Sequence, residues 1–205
     1  MTGYNRYGSS GRWRLSPVNT VIIVLNIVIF LWLRFTGDTT NALFMYEHGA
    51  AFWPDIFYNH EYYRLLSCAF IHFDFSHLFN NMLVLAYIGD NLERALGSVK
   101  YTILYLTAAV GSSFISAGWN MMQDDLIISG GASGAVFGVV GALIIIVIRN
   151  RGRLEDLSSR QLALFAGFSI YHGVTSAGID NDAHIGGFLI GAALAAVLYR
   201  RRRQR

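Results

Sequence analysis

The amino-acid sequence predicts an all-α membrane protein, a bundle of six transmembrane helices with a long, partly embedded first loop. Three observations lead there. Of the 205 residues, 54% are hydrophobic and only 14% charged, whereas soluble domains carry roughly 25% charged residues. Six stretches are apolar enough to cross a bilayer, which takes roughly 17 to 25 residues per helix. Arginines gather just beyond several of them, at Arg149, Arg151, Arg153 and Arg160 and again at Arg200, Arg201, Arg202 and Arg203.

The elements follow in order. Residues 1–16 read as a cytoplasmic tail; it is polar and basic (Arg6, Arg12, Arg14), and no secretory signal peptide is expected in it. Residues 17–200 form the membrane domain, and 201–205 a basic cytoplasmic tail. The first span covers about 17–35 and is uncharged until Arg34. The loop over 36–74 is too long for a plain turn. Its aromatics (Phe52, Trp53, Phe57, Tyr58, Tyr62, Tyr63) suit the membrane interface, so it is expected to be partly embedded. The second span, about 75–92, is weakened by His77, Asn80 and Asn81. The third and fourth cover about 101–123 and 126–148. The fifth, about 161–179, contains His172, and the sixth, about 183–199, begins at His184.

Charge sets the expected orientation. Arg94 and Lys100 follow the second span, and the arginine clusters follow the fourth and sixth. The opposite loops carry Asp38, Glu47, Asp55 and Glu61, then Asp124 and Asp125, then Asp180 and Asp182. The positive-inside rule places both termini in the cytoplasm. The net charge of +3 is thus a matter of topology, and no nucleic-acid partner is expected. Cys68 alone cannot build a disulfide framework or a Cys-rich zinc site. A soluble helical bundle would show polar faces at helical period, and spans three and four show almost none. No internal repeat is visible, which argues against an inverted-repeat transporter.

Polar residues inside spans are costly and mark functional candidates. Spans two, four and six run from outside to inside, and each carries one near its outer start. His77 and Asn81 lie four apart, on one helical face. Ser133 follows Asp125 by eight residues, roughly 12 Å along a helix. His184 opens the sixth span. Each has a bland reading: a packing serine, an interfacial histidine, an asparagine that glues helices. Their coincidence at one depth favours a single site. Ser133 sits in GGASGAVFG (130–138), where glycines permit close backbone approach and leave N–H groups open near a helix start. Hydrolysis of an amide needs a nucleophile, a base and oxyanion donors, and these residue types match. Gly134, Gly138 and Ala142 repeat every four residues, as do Gly187, Gly191 and Ala195. Such ridges let two membrane helices touch.

These segments resemble the rhomboid family. The resemblance rests on GASG (131–134), on AHIGGFLIG (183–191), and on HFDFSHLFNN (72–81) through His72, His77 and Asn81. YIGDNLERALGS (87–98), with Glu93 and Arg94, and Tyr63-Arg64 in the first loop are similar as well. The likeness covers about residues 17–200. It implies an intramembrane serine endopeptidase that hydrolyses peptide bonds in or near transmembrane segments of membrane-protein substrates, through a Ser–His dyad. Ser133 would be the nucleophile and His184 the base. The Ser133 N–H, His77 and Asn81 would hold the oxyanion, with His72 and Gly131 in support. Many members have a tyrosine four residues after the serine; here it is Phe137, whose ring can still stack on an imidazole. Asp182 lies two residues before His184 and does not face it on a helix, so it has no expected catalytic role.

The partners implied are transmembrane protein substrates and the bilayer, in a prokaryotic cell membrane. Entry between spans two and five makes Phe165 and Phe168 gate candidates. No cofactor or metal is expected: His72, His77, His172 and His184 lack an HExxH motif, and His172 has no evident partner. A non-catalytic client-binding relative would typically lack the serine or the histidine, and both are present.

Overall fold

The computed structural model describes residues 16–150, 153–154, 157–158, 164, 167 and 180–200. The helices are α1 (Pro17–Thr36), α2 (Ala42–Glu47), α3 (Trp53–Phe57), α4 (Arg64–Ser67), α5 (Phe75–Val84), α6 (Asp90–Leu96), α7 (Ser98–Gln123), α8 (Ser133–Arg149) and α9 (Asn181–Leu198). A 3-10 turn, Cys68–Phe70, continues α4, and a π turn, Leu85–Gly89, joins α5 to α6. The described strands are a two-residue pair, β1 (Arg153–Leu154) antiparallel to β2 (Leu157–Ser158). Among the described residues α1, α7 and α9 are long and apolar enough to cross a membrane, and α8 is a shorter apolar helix. The side of α1 bearing Val21, Val24, Val28 and Trp32 is exposed, as a lipid-facing surface should be.

Helix α1 opens on Pro17, whose missing N–H costs nothing at that position. Ser16 does not cap it; its Oγ donates to the Asp90 carbonyl at 3.0 Å. The cap comes from α6. The buried Glu93 carboxylate accepts the N–H groups of Val18 (3.2 Å) and Asn19 (2.8 Å) and the Ser98 hydroxyl (2.6 Å). A carboxylate at a helix start satisfies orphan donors and complements the helix dipole. The π turn is stitched to the same place. Asn19 Nδ2 donates to the Leu85 carbonyl at 2.9 Å, and the Tyr101 hydroxyl donates to Asn19 Oδ1 at 2.7 Å. A methyl group on Gly89 would collide with the Asn19 side chain and lie 2.7 Å from the Tyr101 hydroxyl.

The first loop folds around Arg64, which is 4% exposed. Its guanidinium donates to Glu61 Oε2 (2.6 Å) and to the carbonyls of Tyr46 (2.7 Å) and Ala50 (2.9 Å), and lies over the Tyr46 ring at 4.5 Å. Asp55, also buried, pairs with it at 3.9 Å. One cation therefore ties three parts of the loop together.

Helix α8 runs through the middle of the core and packs most extensively against α9. The contact falls on the small-residue ridges. The Gly134 carbonyl lies against Gly187 and the Gly138 carbonyl against Gly191, so closely that a Cβ at Gly187 or Gly191 would overlap them. Helix α7 closes the third side, with Ala108 against Gly138 and Ile115 against Gly186.

The observed elements depart from the sequence reading in two places. The helix expected from 126 starts only at Ser133, because the preceding stretch is held extended. Ala51 and Ser129 exchange N–H···O bonds of 2.8 and 2.9 Å, and the Trp53 indole donates to the Asp125 carbonyl at 2.9 Å. Ser133 is thus the first residue of its helix, and the depth estimated by counting helical rise from Asp125 does not apply. The second helix is interrupted by the π turn and continues to Leu96. Of the expected fifth span only Leu164 and Gly167 are described. His172, Phe165 and Phe168 lie outside the described residues, as do most of the two tails.

Candidate active site

Helix α5 begins where the Asp74 carboxylate accepts the His77 N–H at 2.8 Å. That cap sets the first turn and therefore the place of His77; Asn81 follows one turn later. His72 precedes the helix and is fully buried, its ring edge-on to His77 at 5.0 Å. His72 Nε2 is 3.1 Å from Asn81 Nδ2 and accepts the Ala132 N–H at 3.3 Å. A backbone N–H can only donate, so Nε2 is the acceptor and the proton sits on Nδ1. Nδ1 is buried without a hydrogen-bond partner among the described residues. Burial holds the His72 imidazole well below the ordinary histidine range, with the charge of His77 a smaller cause in the same direction. His72 is therefore a neutral acceptor that joins α5 to the stretch leading into α8.

That stretch turns on Gly131. Its N–H donates to the Cys68 carbonyl at 2.8 Å, and its φ of +141° lies where only glycine is at ease. A Cβ there would strike the His77 ring, 2.6 Å from Nε2. Two separate constraints thus require glycine at 131. Cys68 is buried, and burial pushes its thiol up to about 11. It is a protonated packing group 3.1 Å from Ser113 Oγ.

Ser133 starts α8 half-buried. The N–H groups of Ser133 and Gly134 belong to the first helical turn and have no acceptor among the described residues. His184 lies in the first turn of α9, 7% exposed, and Phe137 stacks on its ring at 4.2 Å with planes 9° apart. The two helix starts meet: a Cβ on Gly134 would lie 3.5 Å from the Ala183 carbonyl. Ser133 and His184 are thus chain neighbours of a backbone contact. Among the described residues no hydrogen bond links them, and His184 Nδ1 is buried without a partner. Catalytic hydrogen bonds are often long in the absence of substrate.

The structure therefore gathers His72, His77, Asn81, Gly131, Ser133, Phe137 and His184 at one end of the bundle. No cluster of three His, Cys, Asp or Glu side chains suited to a metal occurs among the described residues. Sequence reasoning passed over two participants. Cys68 contributes through its carbonyl, which no side-chain pattern announces. Asp180 accepts the Ala183 N–H at 2.9 Å and so caps α9; an Asp just ahead of a helix is a readable cap signal.

Residues 59–201 match the family model described as the Rhomboid domain. The chain belongs to the rhomboid family. It is 31% identical over 178 residues to "Rhomboid protease GluP" of Bacillus subtilis, covering 87% of this chain and 34% of that protein. "RHOMBOID-like protein 4" of Arabidopsis thaliana is 39% identical over 140 residues, covering 67% and 34%. "Rhomboid protease GlpG" of Photorhabdus laumondii is 30% identical over 181 residues, covering 87% and 60%. The chain spans about a third of the length of the first two of these relatives and three fifths of the third. Family membership and the apolar helices together make this rhomboid an integral membrane protein.

Proposed function

We propose that this rhomboid is an intramembrane serine endopeptidase, with Ser133 as nucleophile and His184 as general base. The observation that carries the reading is the meeting of two helix starts: Ser133 at the free N–H groups of α8, beside His184 stacked on Phe137. The names of two relatives, both called rhomboid proteases, agree with it.

The chemistry is acyl transfer. His184 takes the proton of Ser133 Oγ, which attacks the carbonyl of a peptide bond in or near a transmembrane segment. The Ser133 N–H, Asn81 Nδ2 and His77 receive the negative charge of the tetrahedral intermediate. One N–H of the Asn81 amide faces His72 Nε2, which leaves the other for the oxyanion. His184 then hands its proton to the leaving amine, and water hydrolyses the acyl-enzyme by the same route. Phe137 supports the imidazole ring. No metal or cofactor enters, so chelators should leave the activity unchanged. The partners are transmembrane protein substrates and the surrounding lipid.

We read the whole chain as six spans with both termini cytoplasmic, in a prokaryotic cell membrane, with the first loop partly embedded on the outer side. Support comes from the far end of α8. There Arg149 donates to the Ala196 carbonyl at 2.6 Å, and Lys100 donates to the Leu198 carbonyl at 2.9 Å. Basic residues thus mark the end opposite Ser133, as an inner end would require.

The test is cleavage of a reconstituted membrane-protein substrate by wild type, Ser133→Ala and His184→Ala. Both variants should lose activity by about a thousandfold or more, as loss of a nucleophile or base does elsewhere. Cleavage by either variant at the wild-type rate would sink the dyad.

A further inference from the structure

Three serines on one stretch of α7 face the site: Ser112 lies against Gly134, Ser113 against Cys68, and Ser116 against Asp180. The last contact concerns the base directly. Ser116 is 2% exposed, and its Oγ makes a short hydrogen bond to Asp180 Oδ2. The other carboxylate oxygen accepts the Ala183 N–H at 2.9 Å, and the Asp180 carbonyl accepts the His184 N–H at 3.2 Å. One residue therefore holds the two consecutive N–H groups that end on His184, and anchors them to a different helix.

A cap that served α9 alone would need only the Ala183 bond. The second bond runs across the bundle, from a buried hydroxyl on a helix that carries none of the reacting groups. A histidine whose ring is pinned only by Phe137 could still drift with its helix start. We propose that Asp180 is a positioning residue for the general base: clamped by Ser116, it fixes the first turn of α9 and so sets His184 against Ser133. The inference rests on the protease reading. It adds to that reading a carboxylate that acts through the backbone rather than as the third member of a triad.

The experiment uses the full chain in detergent or proteoliposomes. It measures kcat and KM for a membrane substrate, the rate of Ser133 labelling by a fluorophosphonate, and the thermal midpoint. Ser116→Ala removes the cross-helix bond and leaves the cap intact. Asp180→Ala removes both. Asp180→Asn can still accept from Ala183 and can donate to the Ser116 oxygen. Misplacement of a catalytic group by about an ångström costs up to a hundredfold. On that scale Asp180→Ala should lower kcat and the labelling rate about tenfold, and Ser116→Ala about threefold, each with KM within about twofold. Asp180→Asn should recover to within about threefold of wild type. The double variant should be no worse than Asp180→Ala, since both remove one coupled unit.

A role confined to helix stability would lower the thermal midpoint and leave kcat alone. Wild-type kcat in Ser116→Ala and Asp180→Ala, or losses confined to KM, would overturn the proposal while the dyad stood. Failure of wild type to be labelled at Ser133 would overturn the protease reading and this inference with it.

Discussion

Phe137 and His72 show how much of the candidate site is carried by residues that do no chemistry. Phe137 offers only a ring face, yet at 4.2 Å and 9° it fixes the plane of the His184 imidazole. Phe137→Ala should lower kcat about tenfold, while Phe137→Tyr should stay within about threefold, because the ring is what matters. Equal kcat in Phe137→Ala and wild type would refute the supporting role. His72 supplies a single lone pair to two donors. Its pKa is depressed in the folded chain, so between that value and the ordinary histidine value the unfolded chain binds the extra proton. The stability it protects is complete above about pH 6.5 and falls as the solution is acidified toward the folded value. Thermal unfolding in detergent at pH 7.5 and 5.5 should show a lower midpoint at the acid pH, and His72→Gln should reduce that difference. An unchanged difference in the variant would assign the effect to another group.

At the scale of elements, the α8–α9 contact was legible and the start of α8 was not. The every-fourth repeat of Gly134 and Gly138 and of Gly187 and Gly191 announced a backbone contact, and the helices meet on those residues. A Cβ at 191 has no room before the Gly138 carbonyl. Gly191→Val should therefore destabilise the protein by about 1–3 kcal/mol or more, read as a shift in the denaturation midpoint, whereas a wild-type midpoint would mean that the helices are free to separate. By contrast, Leu126, Ile127 and Ile128 are as apolar as a helix interior, and hydropathy absorbed them into the span. What keeps them out of the helix is the Ala51–Ser129 exchange and the Trp53–Asp125 bond, partners more than seventy residues away in sequence. The same non-locality hid the Glu93 cap on α1. Glu93 stands in a segment that resembles the family's, but its task depends on Val18 and Asn19.

For the whole molecule, the charge pattern makes a claim about sidedness that labelling can settle. In intact cells Asp124→Cys should react with a membrane-impermeant maleimide, and Arg203→Cys should react only after permeabilisation. The opposite pattern would invert the topology. The native thiol will not confuse the result, since Cys68 is buried and burial keeps it protonated. The membrane character and the chain order of the three polar motifs were readable because each is a local composition. The way His72 links Asn81 to Ala132, and Asp180 links α9 to α7, was not, because each bond joins separate elements.

The π turn at Leu85–Gly89 has a consequence for aim. Asn81 and Glu93 lie twelve residues apart on one helical run. In an unbroken α-helix they would point about 120° away from each other, at about 100° per residue. A π turn absorbs one extra residue, which brings the difference down to about 20°. It works like a keyway on a shaft, letting a single rod present Asn81 at one end and its cap for α1 at the other toward the same side. Winding the turn into regular α-helix at unchanged length would leave both ends well formed and misclocked by about 100°, so that seating Asn81 beside His72 would swing Glu93 away from Val18 and Asn19, whereas deleting one residue from the turn would keep both aimed.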